Sequence, residues 1–253
     1  MLAALKRHPF PVVAHFRRSV VLTYAFPARI LEPLLPPSLH LDTYEGWGFL
    51  AIALVETEAL RPAGLPRWMG RDFFLSGYRI FTRFRGADGR DLRGLRILRS
   101  DTDSRIMAFA GNLLTHYNYR VAKVASAQEG DLLKLSTRTP GAEADLDLVV
   151  DLAVEVPAPP AGSPFPDLRT ARRYAGPLPH TFEREAGSGH MIVIEGTRTH
   201  WEPRPVEVRT ARATFFDQEP FRGVEPVLAN AFSVENVSYR WKRGRRMAPW
   251  EEP

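Results

Sequence analysis

The chain has 253 residues, 44% of them apolar, a formal net charge of +5 and no cysteine. That length and apolar content can bury one full core, and without cysteine there are no disulfides and no thiolate metal, iron–sulfur or redox centres. The N-terminus shows no basic start, long apolar run and small-residue cleavage site, and the longest apolar runs fall far below a membrane span, so a cytoplasmic protein with no membrane span is expected.

Period-2 and short apolar runs outnumber helical patterns. Strands are expected over Ser19–Tyr24, Trp47–Glu56, Tyr78–Arg85, Gly94–Arg99, Tyr119–Ala125, Leu132–Arg138, Leu146–Glu155, Met191–Thr199 and Val206–Phe216. So many strands make a barrel or a large curved sheet. Between Tyr78 and Arg85 the alternation sets Tyr78, Ile80, Thr82 and Phe84 on one face and Arg79, Phe81, Arg83 and Arg85 on the other. Helical spacing appears in Ala28–Leu35 after Pro27, in Ser104–Leu114 and in Val224–Phe232. In the second of these, Ser104 suits an N-cap, and Ile106, Phe109, Ala110, Leu113 and Leu114 form one stripe. Gly86–Gly89 and Ala127–Gly130 read as hairpin turns, and the Pro-rich stretch Val156–Asp167 as a surface loop inside a single domain.

Charge is concentrated at one end. Arg240, Lys242, Arg243, Arg245 and Arg246 crowd into YRWKRGRR, while the rest of the chain is balanced. This stretch could engage phosphate backbone or anionic lipid, with Trp241 to stack. A solvated basic C-terminal tail over residues 239–253 is the plainer reading, and nucleic acid is not expected as a partner.

The segment GNLLTHYNYRVAK, Gly111–Lys123, carries most information: an apolar helical run gives way to His116, Tyr117, Asn118, Tyr119 and Arg120, as at the mouth of a pocket. His116 titrates near neutrality and suits proton transfer; a histidine at a helix C-terminus is the bland alternative. Arg79, alone among charges near the start of an aromatic strand, could clamp a carboxylate; otherwise it is an outward strand arginine. Glu56 closes WGFLAIALVE, where burial would raise its pKa, or where it forms a solvated ion pair. Arg105 and Tyr119 are further pocket candidates. Asp101 and Asp103 read as helix capping in preference to a cation site. His180, Glu183 and His190 read as a hairpin in preference to a zinc motif.

HFRRSVVLTYAFPARILEPLLPPSLHLDTYEGWGFLAIAL (His15–Leu54), RRYAGPLPHTF (Arg172–Phe182), IEGTRTHWEPRPVEV (Ile194–Val208) and Arg105–Lys123 together resemble the uncharacterised YqjF-like proteins. These are similar to the acetoacetate-decarboxylase-like superfamily. The resemblance implies an α+β, β-rich domain over 1–253, a curved antiparallel β-cone with a few peripheral helices around a small-molecule pocket. It also implies a Schiff-base lysine, one of two adjacent lysines, yet Tyr119 and Arg120 stand where that pair should fall. Only four of the 34 basic residues are lysines (Lys6, Lys123, Lys134 and Lys242), and Lys123 is a weak substitute.

The leading expectation is therefore a small-molecule-binding protein with an acetoacetate-decarboxylase-like pocket that lacks the Schiff-base lysines. It would need no cofactor or metal, and homo-oligomerisation stays open. The alternative is an enzyme acting on a small oxo-acid or enolisable carbonyl compound. There His116 and Glu56 would move protons, while Arg79, Arg105, Tyr117, Tyr119 and Arg120 hold substrate. A third reading is an interaction module working through the basic tail.

Overall fold

Long strands with alternating faces dominate the residues that the computed structural model describes, 5–185 and 187–250. They are β1 (Val12–Pro27), β2 (Leu39–Leu41), β3 (Trp47–Pro62), β4 (Arg71–Arg85), β5 (Asp91–Thr102), β6 (Tyr119–Val121), β7 (Lys123–Glu129), β8 (Leu132–Arg138), β9 (Leu146–Asp151), β10 (His180–Arg184), β11 (Met191–Arg198), β12 (Arg204–Pro205), β13 (Glu207–Ala213), β14 (Val227–Trp241) and β15 (Arg245–Met247). The helices are α1 (Ala28–Leu31), α2 (Arg105–Leu114) and α3 (Leu168–Ala175).

Seven strands close a ring in the order β14-β1-β3-β4-β5-β10-β11, because β11 pairs back onto β14 through Gly196, Thr197 and Arg198. The pairing is antiparallel, except that β5 runs parallel to both β10 and β6. A second sheet, β13-β9-β8-β7, packs on one outer face of the ring.

Alternation along β3 shows how the sequence builds two interiors. Leu50, Ile52 and Leu54 point toward Leu133, Leu135, Leu146 and Leu148 of the second sheet and form the main core. Ala51, Ala53 and Val55 face the ring's hollow. β4 follows the same rule, with Tyr78 and Ile80 in the core and Arg79 and Phe81 toward the hollow, as its alternation predicts. A bulge in β1 around Arg17 resets the parity, so Phe16 and Ser19 both face inward. On β14, Asn236 opposite that bulge has φ +57°.

Several expectations need correction. Val224–Phe232 is not a helix; most of it is the start of β14, where Ala229, Ala231 and Phe232 are all buried, so no period-2 signal survives. Nor is the C-terminal stretch a free basic tail. Tyr239 and Trp241 end β14, β15 pairs with β11, and Lys242 and Arg246 are paired with Glu195 and Glu185. Residues 251–253 of that stretch lie outside the described residues. On α2 the buried residues are Ala108 and Gly111, while Ile106 and Phe109 are exposed, so the helix is rotated away from the expected stripe. Ser104 does cap it, accepting from the Met107 N–H at 3.2 Å. Helix α3, which follows the Pro-rich loop, was not expected; Asp167 caps it by accepting from the Thr170 N–H at 2.7 Å.

Candidate functional site

The hollow of the ring holds a cavity of about 120 Å³. Its walls come from β1, β3, β4, β5, β6, β10, β11, β14, the loop from Gly176 to Pro179, and Tyr117 and Trp201. Most of the lining is apolar; the charged residues are Arg79 and Arg198, and among the described residues no Asp, Glu, His or Lys lines it.

Arg79 is half-buried and lines the cavity. Its Nε has no hydrogen-bond partner among the described residues. Burial lowers its pKa, opposed by Tyr239, Tyr119 and Tyr117 and by no carboxylate. Arginine nevertheless stays protonated at neutral pH, so the cavity contains an uncompensated cation. Arg198 is held by the Pro177 carbonyl, to which Nη2 donates at 3.3 Å, and its guanidinium sits 4.7 Å from the Trp201 ring. Two further lining residues have buried polar atoms without partners, Ser19 Oγ and Trp201 Nε1. Arg79 Nε, Ser19 Oγ and Trp201 Nε1 can all donate hydrogen bonds.

The HYNY run is positioned by two asparagines. Asn112 on α2 grips the Tyr119 backbone at both ends, its Nδ2 donating to the carbonyl at 2.8 Å and its Oδ1 accepting from the N–H at 2.8 Å. Asn118, at φ +52°, donates to the Leu98 carbonyl at 2.9 Å. Tyr117 and Tyr119 therefore both enter the cavity, with ring centroids 6.2 Å apart, and Tyr117 Oη lies 2.7 Å from Thr181 Oγ1. Burial raises the pKa of both hydroxyls, pushing Tyr119 up to about 12. Tyr239 is also raised by burial, with Arg198 and Arg79 opposing. At neutral pH these phenols are donors, not bases.

Three glycines make room for these side chains. A Cβ on Gly77 would lie 2.9 Å from Arg79 Nε, one on Gly111 would overlap the Tyr119 ring, and one on Gly196 would overlap the Tyr239 hydroxyl. The interior glycines of β4, α2 and β11 were the sequence signal for the site, since glycine inside an element marks a close approach. Arg198, Trp201 and Tyr239 were missed as cavity residues; Tyr239 and Trp241 alternate with Arg240 and Lys242, a strand pattern hidden by the charge count.

Of the expected site residues, Arg79, Tyr117 and Tyr119 come together. The other four are elsewhere. Glu56 is paired with Arg17, Nη2 to Oε2 2.5 Å. Arg105 is exposed at the start of α2, and exposed Arg120 is paired with Glu143. His116 is half-buried outside the cavity, its pKa lowered by burial and by Lys6 and Arg96 despite Glu185. None of the four lysines lines the cavity, and Lys123 is exposed on β7. Asp103 accepts from the Phe74 N–H at 2.9 Å, and Asp101 is paired with Arg99.

A surface cleft carrying Arg169 and Arg172 shares Gly176, Pro177 and Phe232 with the cavity.

A strand ring of this topology around a small cavity is the architecture of the acetoacetate-decarboxylase-like fold. The chain belongs to the DUF2071 family, described as an uncharacterized conserved protein (COG2071), whose model matches residues 13–235, and the resemblance to YqjF-like proteins holds. No curated protein matches it in sequence. Similar solved structures include an acetoacetate decarboxylase from Legionella pneumophila subsp. pneumophila str. Philadelphia 1, at 13% identity and TM-score 0.65, covering 96% of this chain and 89% of that one. An acetoacetate decarboxylase-like enzyme from Sphingomonas wittichii RW1 matches at 11% identity and TM-score 0.60, covering 96% and 94%. The enduracididine biosynthesis enzyme MppR complexed with pyruvate matches at 11% and 0.54, covering 94% and 88%. Among the described residues no helix is long and apolar enough to cross a membrane.

Proposed function

We propose that the protein binds a small carboxylate, of the oxo-acid class, inside the ring and forms no imine with it. The observation that carries this reading is Arg79: buried, cationic, without a carboxylate partner, and surrounded by other hydrogen-bond donors. An unpaired buried charge costs several kcal/mol, and an anionic ligand offsets that cost. The volume suits a ligand of a few heavy atoms, since a dry cavity of about 150 Å³ takes benzene. The pyruvate complex of MppR supports the ligand class by fold analogy.

Binding is favoured over turnover because, among the described residues, no histidine, carboxylate or lysine lines the cavity. The proton-transfer roles expected of His116 and Glu56 have no support, as neither lines the cavity.

Calorimetric titration with pyruvate and with acetoacetate tests the proposal. Arg79→Met should weaken binding by about 30-fold or more, the cost of truncating one partner of a buried charge pair. Borohydride added to either mixture should leave the mass of the intact protein unchanged. Arg79-independent affinity, or a lysine adduct, would refute it.

A further inference from the structure

A second cavity, of about 270 Å³, lies against the first. The two share a wall of five side chains: Phe16, Leu75, Tyr117, Tyr119 and Trp241. On its other side are Phe10, Leu60, Phe73 and one stripe of α2, formed by Met107, Ala110, Gly111 and Leu114 at helical spacing. This stripe explains the rotation of α2: Gly111 must face the Tyr119 ring, which carries Ala110 and Leu114 round to the second cavity.

The second cavity is apolar and carries almost no available charge. Arg61 lines it, but its guanidinium donates to the Leu65 carbonyl at 2.9 Å and the Ala59 carbonyl at 2.7 Å. Thr115 Oγ1 donates to the Gly111 carbonyl at 2.8 Å. His8 is buried, and burial favours its neutral form; its Nδ1 and Thr57 Oγ1 are the lining side-chain atoms found buried and unpartnered. An anionic head therefore has its place at Arg79, while an uncharged chain fits beyond the wall.

Resting on the proposed carboxylate site, we infer that the ligand is an amphiphilic monocarboxylate whose head binds Arg79. Its apolar tail passes between Tyr117, Tyr119 and Trp241 into the second cavity. The wall consists of four aromatic side chains and one leucine, so the tail's passage requires these side chains to part. The occupant is an extension of the same ligand because the two spaces are contiguous and divide the chemistry between them, cationic on one side and apolar on the other.

The test is a calorimetric series of straight-chain carboxylates from acetate to decanoate. Once the chain outgrows the first cavity, affinity should rise about fourfold per methylene, the burial free energy of one CH₂, until the second cavity is full. In Ala110→Phe, and independently in Leu114→Trp, acetate should bind as in the wild type while the gain with chain length is lost. Thermal melts establish that each variant is folded, and the wild-type series stands without them. Affinity that is flat or falling with chain length, or a gain that survives both filled variants, overturns the inference. Arg79→Met separates the two claims: acetate affinity unaffected by that change defeats the carboxylate site itself, and with it the head placement assumed here.

Discussion

Arg79 sets binding against stability. In the unliganded protein its guanidinium is buried without a counter-charge, so Arg79→Met should remove a desolvation cost while keeping an unbranched stem in the same space. Replacing even a buried ion pair with apolar groups of similar volume is neutral or gains about 1–4 kcal/mol, and a cation without a counter-charge has no pair attraction to lose. The variant should therefore melt higher than the wild type in the absence of ligand, by roughly 2–4 °C per kcal/mol for a protein of this size, while losing carboxylate affinity. A lower melting temperature would mean that Arg79 is compensated inside the protein, and the site would lose its main support. Asp101 gives a second test at this scale. Burial raises its pKa from 3.8 to about 6 despite the Arg99 guanidinium, whose Nε donates to both carboxylate oxygens at 2.9 Å. Between those two values the folded state binds more protons at Asp101 than the unfolded state, so this residue's contribution to stability falls as pH rises from 3.8 to about 6. In Asp101→Asn that part of the pH dependence should vanish, whatever the absolute stability of the variant. Denaturant midpoints across pH 4–7 for both proteins measure it, and identical slopes would count against it.

At the scale of elements, the C-terminal strand is the one whose role changed most. Residues 239–241 supply two aromatic walls of the cavity, with Tyr239 stacked on Phe16 at 5.0 Å and 4.5 Å from Trp241, and residues 245–247 cover β11. Deleting 239–253 should abolish the cooperative thermal transition, not merely change retention on a polyanion. A truncated protein that still melts sharply would restore the tail reading. The sequence hid this strand because charge on its outward positions outweighs the two aromatics in any count, whereas β4 was readable because its two faces differ clearly. The Arg79, Tyr117 and Tyr119 part of the site could be read from residue type and position. Glu56 and Arg120 could not be dismissed, because what removes each is a partner distant in sequence, Arg17 for Glu56 and Glu143 for Arg120, while for His116 and Arg105 only the fold shows that Tyr117 lines the cavity and they do not. Helix α3 was hidden by the Pro-rich stretch before it.

Over the whole molecule, arginines line both the cavity and the surface cleft beside it. The surface cleft with Arg169 and Arg172 shares Gly176 and Pro177 with the cavity that holds Arg198 and Arg79, so a carboxylate entering from this side meets cations outside and inside. Association should be faster at low ionic strength, and Arg169→Glu with Arg172→Glu should slow it about tenfold or more while changing dissociation little. Stopped-flow mixing with pyruvate at several salt concentrations, following the intrinsic fluorescence of Trp201 and Trp241, separates the two rates. An unchanged association rate would mean the ligand enters by another route.

The closure of the ring also bears on the order in which the protein is made. Its first strand, β1, pairs with β14, so Val20 finds Ser233 and Val12 finds Trp241, and β11 needs the same strand. During synthesis every other wall of the cavity emerges before the strand that joins its two edges, and until then β1 and β11 present open edges able to pair with another chain. A ribosome-bound chain stopped before β14 has the parts of a binding site but no interior. Such long-range pairing slows folding, and the β1 edge that β14 covers stays unpaired until that strand has been made.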